Sequence, residues 1–211
     1  MNKFEEIKTI KNNSVFKFKE KGSLFLSKSF SISCEADADE ILHKERKESY
    51  DATHHCFAYK LNPVNNTDNF KYSDDGEPSD TAGIRILNAI DHFGLTNSLV
   101  VVIRYFGGTK LGVGPLGKAY YHSAFSVLEA SEHIILKPYR QIIISCTFPQ
   151  LNLVHRILAS YNARILTTIY EEAVKFTCSA EADKVENIKD DLIEASQNQI
   201  QVSICESLSY E

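Results

Sequence analysis

The 211-residue sequence lacks any apolar run that approaches the roughly 20 residues needed to span a membrane. Its first residues, MNKFEEIKTIKNN, are charged and lack the apolar segment of a secretory signal. The five cysteines are scattered and form no C-x-x-C pair, which argues against a disulfide framework and against a structural zinc site. We therefore expect a cytoplasmic protein with no membrane segment.

The sequence also lacks an excess of positive charge, with 23 Lys and Arg residues against 28 Asp and Glu. No overall basic field draws such a chain onto nucleic acid. Any RNA site must therefore be local, and nothing in the sequence indicates DNA binding. The apolar share of 43% is enough to bury a core.

The order of apolar and turn-forming segments divides the chain into residues 1–136 and 137–211, with KPYR as the joint. The first part begins with a hairpin around Lys21-Gly22, because this dipeptide suits a tight turn. Residues 61–80 are rich in Asn, Asp, Pro and Gly and are expected to form a loop. A helix with a clear apolar stripe follows from Leu116.

The second part predicts strand, helix, strand, strand, helix and strand, which is the ferredoxin-like βαββαβ unit. Its central strand segment, AVKFTCSA, carries only Phe176 where RNA-recognition modules stack bases on several aromatic side chains. The whole chain is therefore expected to be an α+β protein of two domains.

Residues 104–117, RYFGGTKLGVGPLG, hold five of the nine glycines. The stretch is not a Walker A loop, since no lysine and hydroxyl follow its second glycine in the required register, and the βαβ context of a dinucleotide fold is missing. Glycine amides and a helix amino terminus favour anions, whereas the alternative is that the glycines only form turns and close packing contacts. The candidate binding residues are Arg104, Gly107, Gly108, Lys110, Gly112 and Gly114.

Two polar motifs, DATHHC at 51–56 and DDGEP at 74–78, supply groups for acid-base chemistry. If the protein is an enzyme, the candidate catalytic residues are Asp51, His54, Asp75 and Glu77. No spacing places two metal ligands on one face, so neither a metal ion nor another cofactor is predicted. A nucleophilic Cys-His pair of His54 and Cys56 is one alternative. A purely structural alternative, an Asp-Gly turn followed by a helix cap, accounts for DDG but not for Glu77.

Three segments taken together are distinctive: DATHHCFAY, DGEPSDTAGIRIL and VVVIRYFGGTKLGVGPLGKAY. Their order and spacing closely resemble the YigZ/IMPACT family over about residues 14–131. Asp80, Arg85 and Pro115 depart from the family pattern, which has Gly, Pro and Gly there. The resemblance implies an amino-terminal domain with the fold of the second domain of ribosomal protein S-five, followed by a ferredoxin-like domain.

The resemblance also implies a link to the regulation of translation, and it assigns no catalytic residues to this chain. We expect a non-catalytic regulatory protein that contacts RNA, the ribosome or a translation-associated protein. One alternative is a small hydrolase or a phosphate-ligand enzyme that uses the three motifs as one site. Another is a protein-interaction scaffold whose polar motifs only stabilise loops.

Overall fold

The computed structural model describes residues 4–62 and 69–211. Contacts divide the chain into two units, Ile7–Ile135 and Leu136–Glu211, and residues 4–6 group with the second. Within the described ranges, none of the helices combines the length and apolar character that a bilayer crossing requires.

The first unit is built on an antiparallel sheet of five strands. A small separate sheet pairs β1 with β7, and the five-stranded sheet has the order β2-β3-β6-β4-β5. The strands are β1 (Ile7–Ile10), β2 (Ser14–Glu20), β3 (Ser23–Ser31), β4 (His54–Lys60), β5 (Phe70–Ser73), β6 (Ser98–Tyr105) and β7 (His133–Leu136).

Helices cover both faces of this sheet. The three helices are α1 (Glu35–Glu48), α2 (Gly83–His92) and α3 (Val113–Glu129). Helices α2 and α3 enclose one core with Val100 and Val102 of β6, whereas α1 encloses a second core with Val101 and Ile103. Strand β6 is therefore buried on both faces, which explains why its sequence is continuously apolar.

The predicted hairpin is confirmed, with Lys21 at φ 45° and Gly22 at φ 81° in the turn between β2 and β3. Two left-handed residues form the mirror-image turn that matches the twist of a hairpin. The predicted loop over 61–80 is wrong in part, because β5 lies within it and pairs with β4. Residues 63–68 of that segment lie outside the described residues.

The second unit has one sheet in the order β11-β8-β10-β9, with all neighbours antiparallel. Its elements are β8 (Pro138–Cys146), α4 (Leu151–Ser160), β9 (Arg164–Tyr170), β10 (Val174–Glu181), α5 (Val185–Ala195) and β11 (Gln201–Tyr210). Both helices pack on one face around Ile144, Phe176 and Leu192. This arrangement confirms the ferredoxin-like βαββαβ prediction and the α+β class of the chain.

Candidate functional site

The DDGE segment forms a tight turn that is held by its own backbone. The Glu77 amide donates to the Asp74 carbonyl at 2.9 Å, and Asp75 and Gly76 have φ values of 43° and 85°. Only Gly, Asn and Asp adopt this left-handed conformation readily, which accounts for the Asp-Gly pair. The turn points the Asp75 and Glu77 side chains in different directions.

Asp74 stabilises the start of α2. Its Oδ1 accepts hydrogen bonds from the Ala82 and Gly83 amides, both at 2.8 Å, and its Oδ2 accepts one from the Asp80 amide at 2.9 Å. A carboxylate at this position satisfies amides that have no partner within the helix and complements the helix dipole. Asp74 is thereby fully engaged in the fold.

The Asp75 carboxylate faces α1. Its Oδ1 accepts a 2.8 Å hydrogen bond from Arg46, and its Oδ2 accepts one from the His55 amide at 2.6 Å. Burial raises the pKa of the Asp75 carboxyl, but the Arg46 and His55 hydrogen bonds outweigh burial and hold that pKa below its ordinary value. Asp75 is therefore ionised at neutral pH, and its carboxylate binds Arg46 and the His55 amide and not the groups around Glu77.

Glu77 and Arg104 form a buried ion pair, each with a side chain only 5% exposed. Arg104 donates to Glu77 Oε1 at 2.6 Å, and the Tyr120 hydroxyl donates to the same oxygen at 2.7 Å. A second Arg104 nitrogen donates to Ser23 Oγ at 3.2 Å. These donors compensate the cost of removing the two charges from water.

His54 approaches the other carboxylate oxygen of Glu77. Its Nδ1 lies 2.8 Å from the Asp75 carbonyl oxygen, which only accepts, so Nδ1 carries the proton. Its Nε2 atom lies 3.8 Å from Glu77 Oε2. The Asp75 carbonyl therefore holds the His54 ring with Nε2 toward Glu77.

Cys56 lies on the same face of β4 as His54, but it is fully buried. Its Sγ is 3.0 Å from the Asp74 carbonyl oxygen and 3.4 Å from the Tyr120 hydroxyl. Burial raises the pKa of the Cys56 thiol well above its ordinary value. A nucleophilic Cys-His pair is thus disfavoured, and Cys56 serves as a packing residue.

His54, Glu77 and Arg104 border a cavity of about 370 Å³ in the first unit. Its polar wall consists of His54, Glu77, Arg104 and Lys110. The remaining lining residues are Pro78, Phe106, Leu111, Gly112, Val113 and Leu116. Because Arg104 balances Glu77, the exposed Lys110 leaves this wall with surplus positive charge.

The glycines from Gly107 to Gly114 differ in the structural constraint that each one meets. A Cβ on Gly107 would lie 2.0 Å from the Gly22 carbonyl carbon, so this position tolerates no side chain. Gly108 and Gly112 have left-handed φ values of 84° and 87°. Gly114 has neither constraint, since a Cβ there meets nothing within 4 Å among the described residues and its φ is not left-handed.

The structure brings together five of the residues that the sequence nominates: His54, Glu77, Arg104, Lys110 and Gly112 all border the cavity. Gly107, Gly108 and Gly114 belong to the adjoining loop and the first turn of α3 without lining it. Asp75 faces Arg46, and Asp51 lies exposed in the turn between α1 and β4. Across residues 4–62 and 69–211, no group of three metal-ligating side chains converges.

Sequence reasoning did not nominate Ser23, Phe106 or Tyr120. Tyr120 falls in the apolar stripe of α3, yet a buried tyrosine hydroxyl generally has a polar partner, and this is the signal that points to it. Phe106 is 45% exposed beside the glycines and the cavity, and its ring lies 5.4 Å from the Arg104 guanidinium carbon. Ser23 has no comparable signal.

Comparisons with known proteins agree with this architecture. Residues 21–128 match the Impact N-terminal domain, and residues 144–199 match a domain of unknown function, DUF1949. An IMPACT family member of Thermus thermophilus is 34% identical over 73% of this chain and 82% of its own length. YigZ of Escherichia coli, an IMPACT family member, is 29% identical over 78% of this chain and 81% of its own.

The crystal structure of a hypothetical protein is similar over nearly the whole chain. It superposes with a TM-score of 0.71 at 27% identity, covering 94% of this chain and 96% of the other. The matches span both domains, and the residues that border the cavity fall inside the Impact N-terminal match. The chain therefore belongs to the IMPACT family.

Proposed function

We propose that this protein is a non-catalytic regulatory protein linked to translation, which acts by contacting RNA in the setting of the ribosome. Membership of the IMPACT family across both domains supports the link to translation. The observation that carries the RNA contact is the cavity wall, where Lys110 adds surplus positive charge next to the exposed ring of Phe106.

Lysine and an exposed aromatic ring are the groups that bind single-stranded RNA without an overall basic surface. Lysine binds the phosphate backbone, and the ring offers a face on which a base stacks. With a net charge of −5, the chain has no overall attraction to nucleic acid, so binding must depend on a local site such as this one.

The test is binding of structured RNA with single-stranded loops by filter retention and co-sedimentation of the full chain with ribosomes, both across a salt series. We expect binding at low salt that weakens as salt rises, because phosphate contacts release counterions. Lys110→Ala should weaken RNA binding at every salt concentration and reduce the salt slope by about one phosphate contact.

Lys44→Ala is the matched control. Lys44 is exposed on α1, on the opposite face of the sheet from α2 and α3, and removing it changes the net charge by the same amount. Equal losses of RNA affinity in Lys110→Ala and Lys44→Ala would show that net charge alone governs binding and would contradict a local site. Absence of any binding to RNA or ribosomes at low salt would contradict the proposed function.

A second candidate function is hydrolysis of a phosphate ester in the cavity. It is favoured by one observation, the orientation of the His54 ring, which the Asp75 carbonyl holds with Nε2 toward the Glu77–Arg104 pair. An imidazole oriented by a carbonyl is suited to act as a general base. A screen of phosphate esters should then show turnover that His54→Ala abolishes, and a wild-type chain without turnover would exclude this candidate.

A further inference from the structure

Two polar side-chain atoms face each other at the cavity wall. His54 Nδ1 donates to the Asp75 carbonyl at 2.8 Å, and His54 Nε2 lies 3.8 Å from Glu77 Oε2, beyond the reach of a direct hydrogen bond. Both hydrogen bonds to Glu77 from side chains reach Oε1, and in the part of the chain that the structure describes none reaches Oε2. A side chain 95% buried thus keeps one oxygen free for a donor.

The group that suits this pair of atoms is a neutral hydroxyl. It donates its hydrogen to Glu77 Oε2, and its small oxygen lies within reach of His54 Nε2 as well. A cationic amine would meet the Arg104 guanidinium and the Lys110 ammonium, which border the same cavity. A metal ion would meet the same repulsion and would find only two ligating side chains here.

Another part of the lining suits an anion. Gly112 precedes α3, a helix of 17 residues, and the amide of Val113 lies in its first turn, where helical geometry leaves it without a partner. Lys110, Gly112 and Val113 all border the cavity.

An exposed aromatic ring completes the lining. Phe106 lies between the polar wall and the glycine loop, and Val113 beside it is 66% exposed. These apolar surfaces offer a planar heteroaromatic group a place to stack.

We propose that the cavity binds a ribose phosphate. The ribose 2′-hydroxyl donates to Glu77 Oε2 beside His54 Nε2, the phosphate lies against Lys110 and the first turn of α3, and the base stacks on Phe106. This inference rests on the RNA contact of the proposed function and identifies the chemical group that is recognised. A free ribonucleotide and a nucleotide within RNA share this chemistry.

The experiment measures affinities of the full-length protein for two pairs of probes. One pair is adenosine 5′-monophosphate and its 2′-deoxy analogue, and the other is an oligoribonucleotide and the oligodeoxyribonucleotide of the same sequence. We expect the ribo member to bind about tenfold more tightly, since a hydrogen bond to an ionised group is lost in the deoxy member. Preference within the first pair indicates a free nucleotide, and preference confined to the second pair indicates RNA.

Two variants test whether the preference for the ribo probes depends on Glu77 and His54. Glu77→Gln keeps an oxygen for Arg104 and Tyr120 but replaces the Oε2 acceptor by an amide donor, which removes the acceptor for the ribose hydroxyl. His54→Ala removes the ring nitrogen beside that hydroxyl while leaving the Glu77–Arg104 pair intact. Each should bring the ribo and deoxy affinities together, whereas Asp51→Asn, a carboxylate-to-amide change in an exposed turn, should not.

Equal wild-type affinities for the ribo and deoxy probes would overturn the inference, as would full discrimination in both site variants. Equal, salt-dependent affinity for RNA and DNA would leave the proposed RNA contact standing. Failure to bind ribosomes or either oligonucleotide would instead contradict the proposed function itself.

Discussion

At the scale of single residues, the Glu77–Arg104 pair is the most constrained polar contact of the cavity. Arg104 lies on β6 and Glu77 in the turn before α2, and their partners Ser23 and Tyr120 orient the two groups. Buried charges of this kind are costly to separate, because the remaining partner keeps its charge without compensation. The pair therefore stabilises the polar wall as well as shaping it.

We expect Arg104→Ala to lower the free energy of unfolding by about 3–5 kcal/mol, since it leaves the Glu77 carboxylate buried and unpaired. Urea unfolding at pH 7 measures this loss. The double variant with Glu77→Ala should lose less than the sum of the single variants, by about 1–3 kcal/mol. Strictly additive losses would show that the two side chains do not depend on each other.

The buried imidazole of His55 makes the free energy of unfolding depend on pH. Its side chain is buried, and burial, followed by the charge of Arg46, lowers the pKa of its imidazole below the ordinary value of 6.5. The folded state therefore binds a proton less readily than the unfolded chain. This contribution is fully present above about pH 6.5 and is lost as the pH falls toward and through the lowered pKa.

We expect the free energy of unfolding to fall between pH 7 and pH 5, and His55→Gln to make that fall shallower by at most about 1.4 kcal/mol per pH unit. Urea unfolding at pH 7, 6 and 5 gives the slopes. His43→Gln is the control, because the imidazole of His43 is exposed on α1. An unchanged slope in the His55 variant would exclude this residue as the cause.

At the scale of elements, the glycine loop before α3 packs against the β2–β3 hairpin and also borders the cavity. Gly107 lies against the turn of the β2–β3 hairpin, where its amide also donates to Ser23 Oγ at 3.2 Å. Gly114, in the first turn of α3, has no such contact. The two positions allow packing requirements to be separated from those of a ligand.

Gly107→Ala should strongly destabilise the first unit, because its Cβ would overlap the backbone of Gly22 at 2.0 Å. Gly114→Ala should be neutral or raise the free energy of unfolding by about 0.5–1 kcal/mol, since Ala favours a helix. Urea unfolding compares both with the wild type. Loss of stability in Gly114→Ala would show that the packing around α3 requires this glycine.

The helices and the long strands were predictable because they are long enough to show a periodic pattern or, in β6, a continuous run of apolar residues. In α3, the stripe from Leu116 to Leu128 is buried as its spacing indicates. The four-residue strands were not predicted, because so few residues show no period, and in β5 three of the four residues are exposed. Their place in the fold depends on pairing with distant strands.

Much of the candidate site was predictable from residue chemistry, and its geometry was not. The sequence nominates His54, Glu77 and Arg104 as a base, an acid and a cation, and all three border one cavity. It cannot show that Asp75, two residues before Glu77, faces α1 instead, since this follows from the backbone of a tight turn. Contacts between residues 27 apart, such as Glu77 and Arg104, exist only in the folded chain.

At the scale of the whole molecule, the two units have separate cores. The clusters of the first unit include Phe25, Val102 and Leu128, whereas that of the second is centred on Ile144 and Phe176. Each core is formed by residues of its own unit. We propose a domain boundary at residue 136, with residues 1–136 and 137–211 as independently folding parts.

Every residue that borders the cavity lies between His54 and Leu116, within the first unit. We therefore expect a fragment of residues 1–136 to fold and to bind adenosine 5′-monophosphate with the affinity of the full chain. Circular dichroism and a binding titration measure the two properties. A fragment that folds but binds much more weakly would show that residues 137–211 contribute to recognition, whereas an unfolded fragment would contradict the proposed boundary.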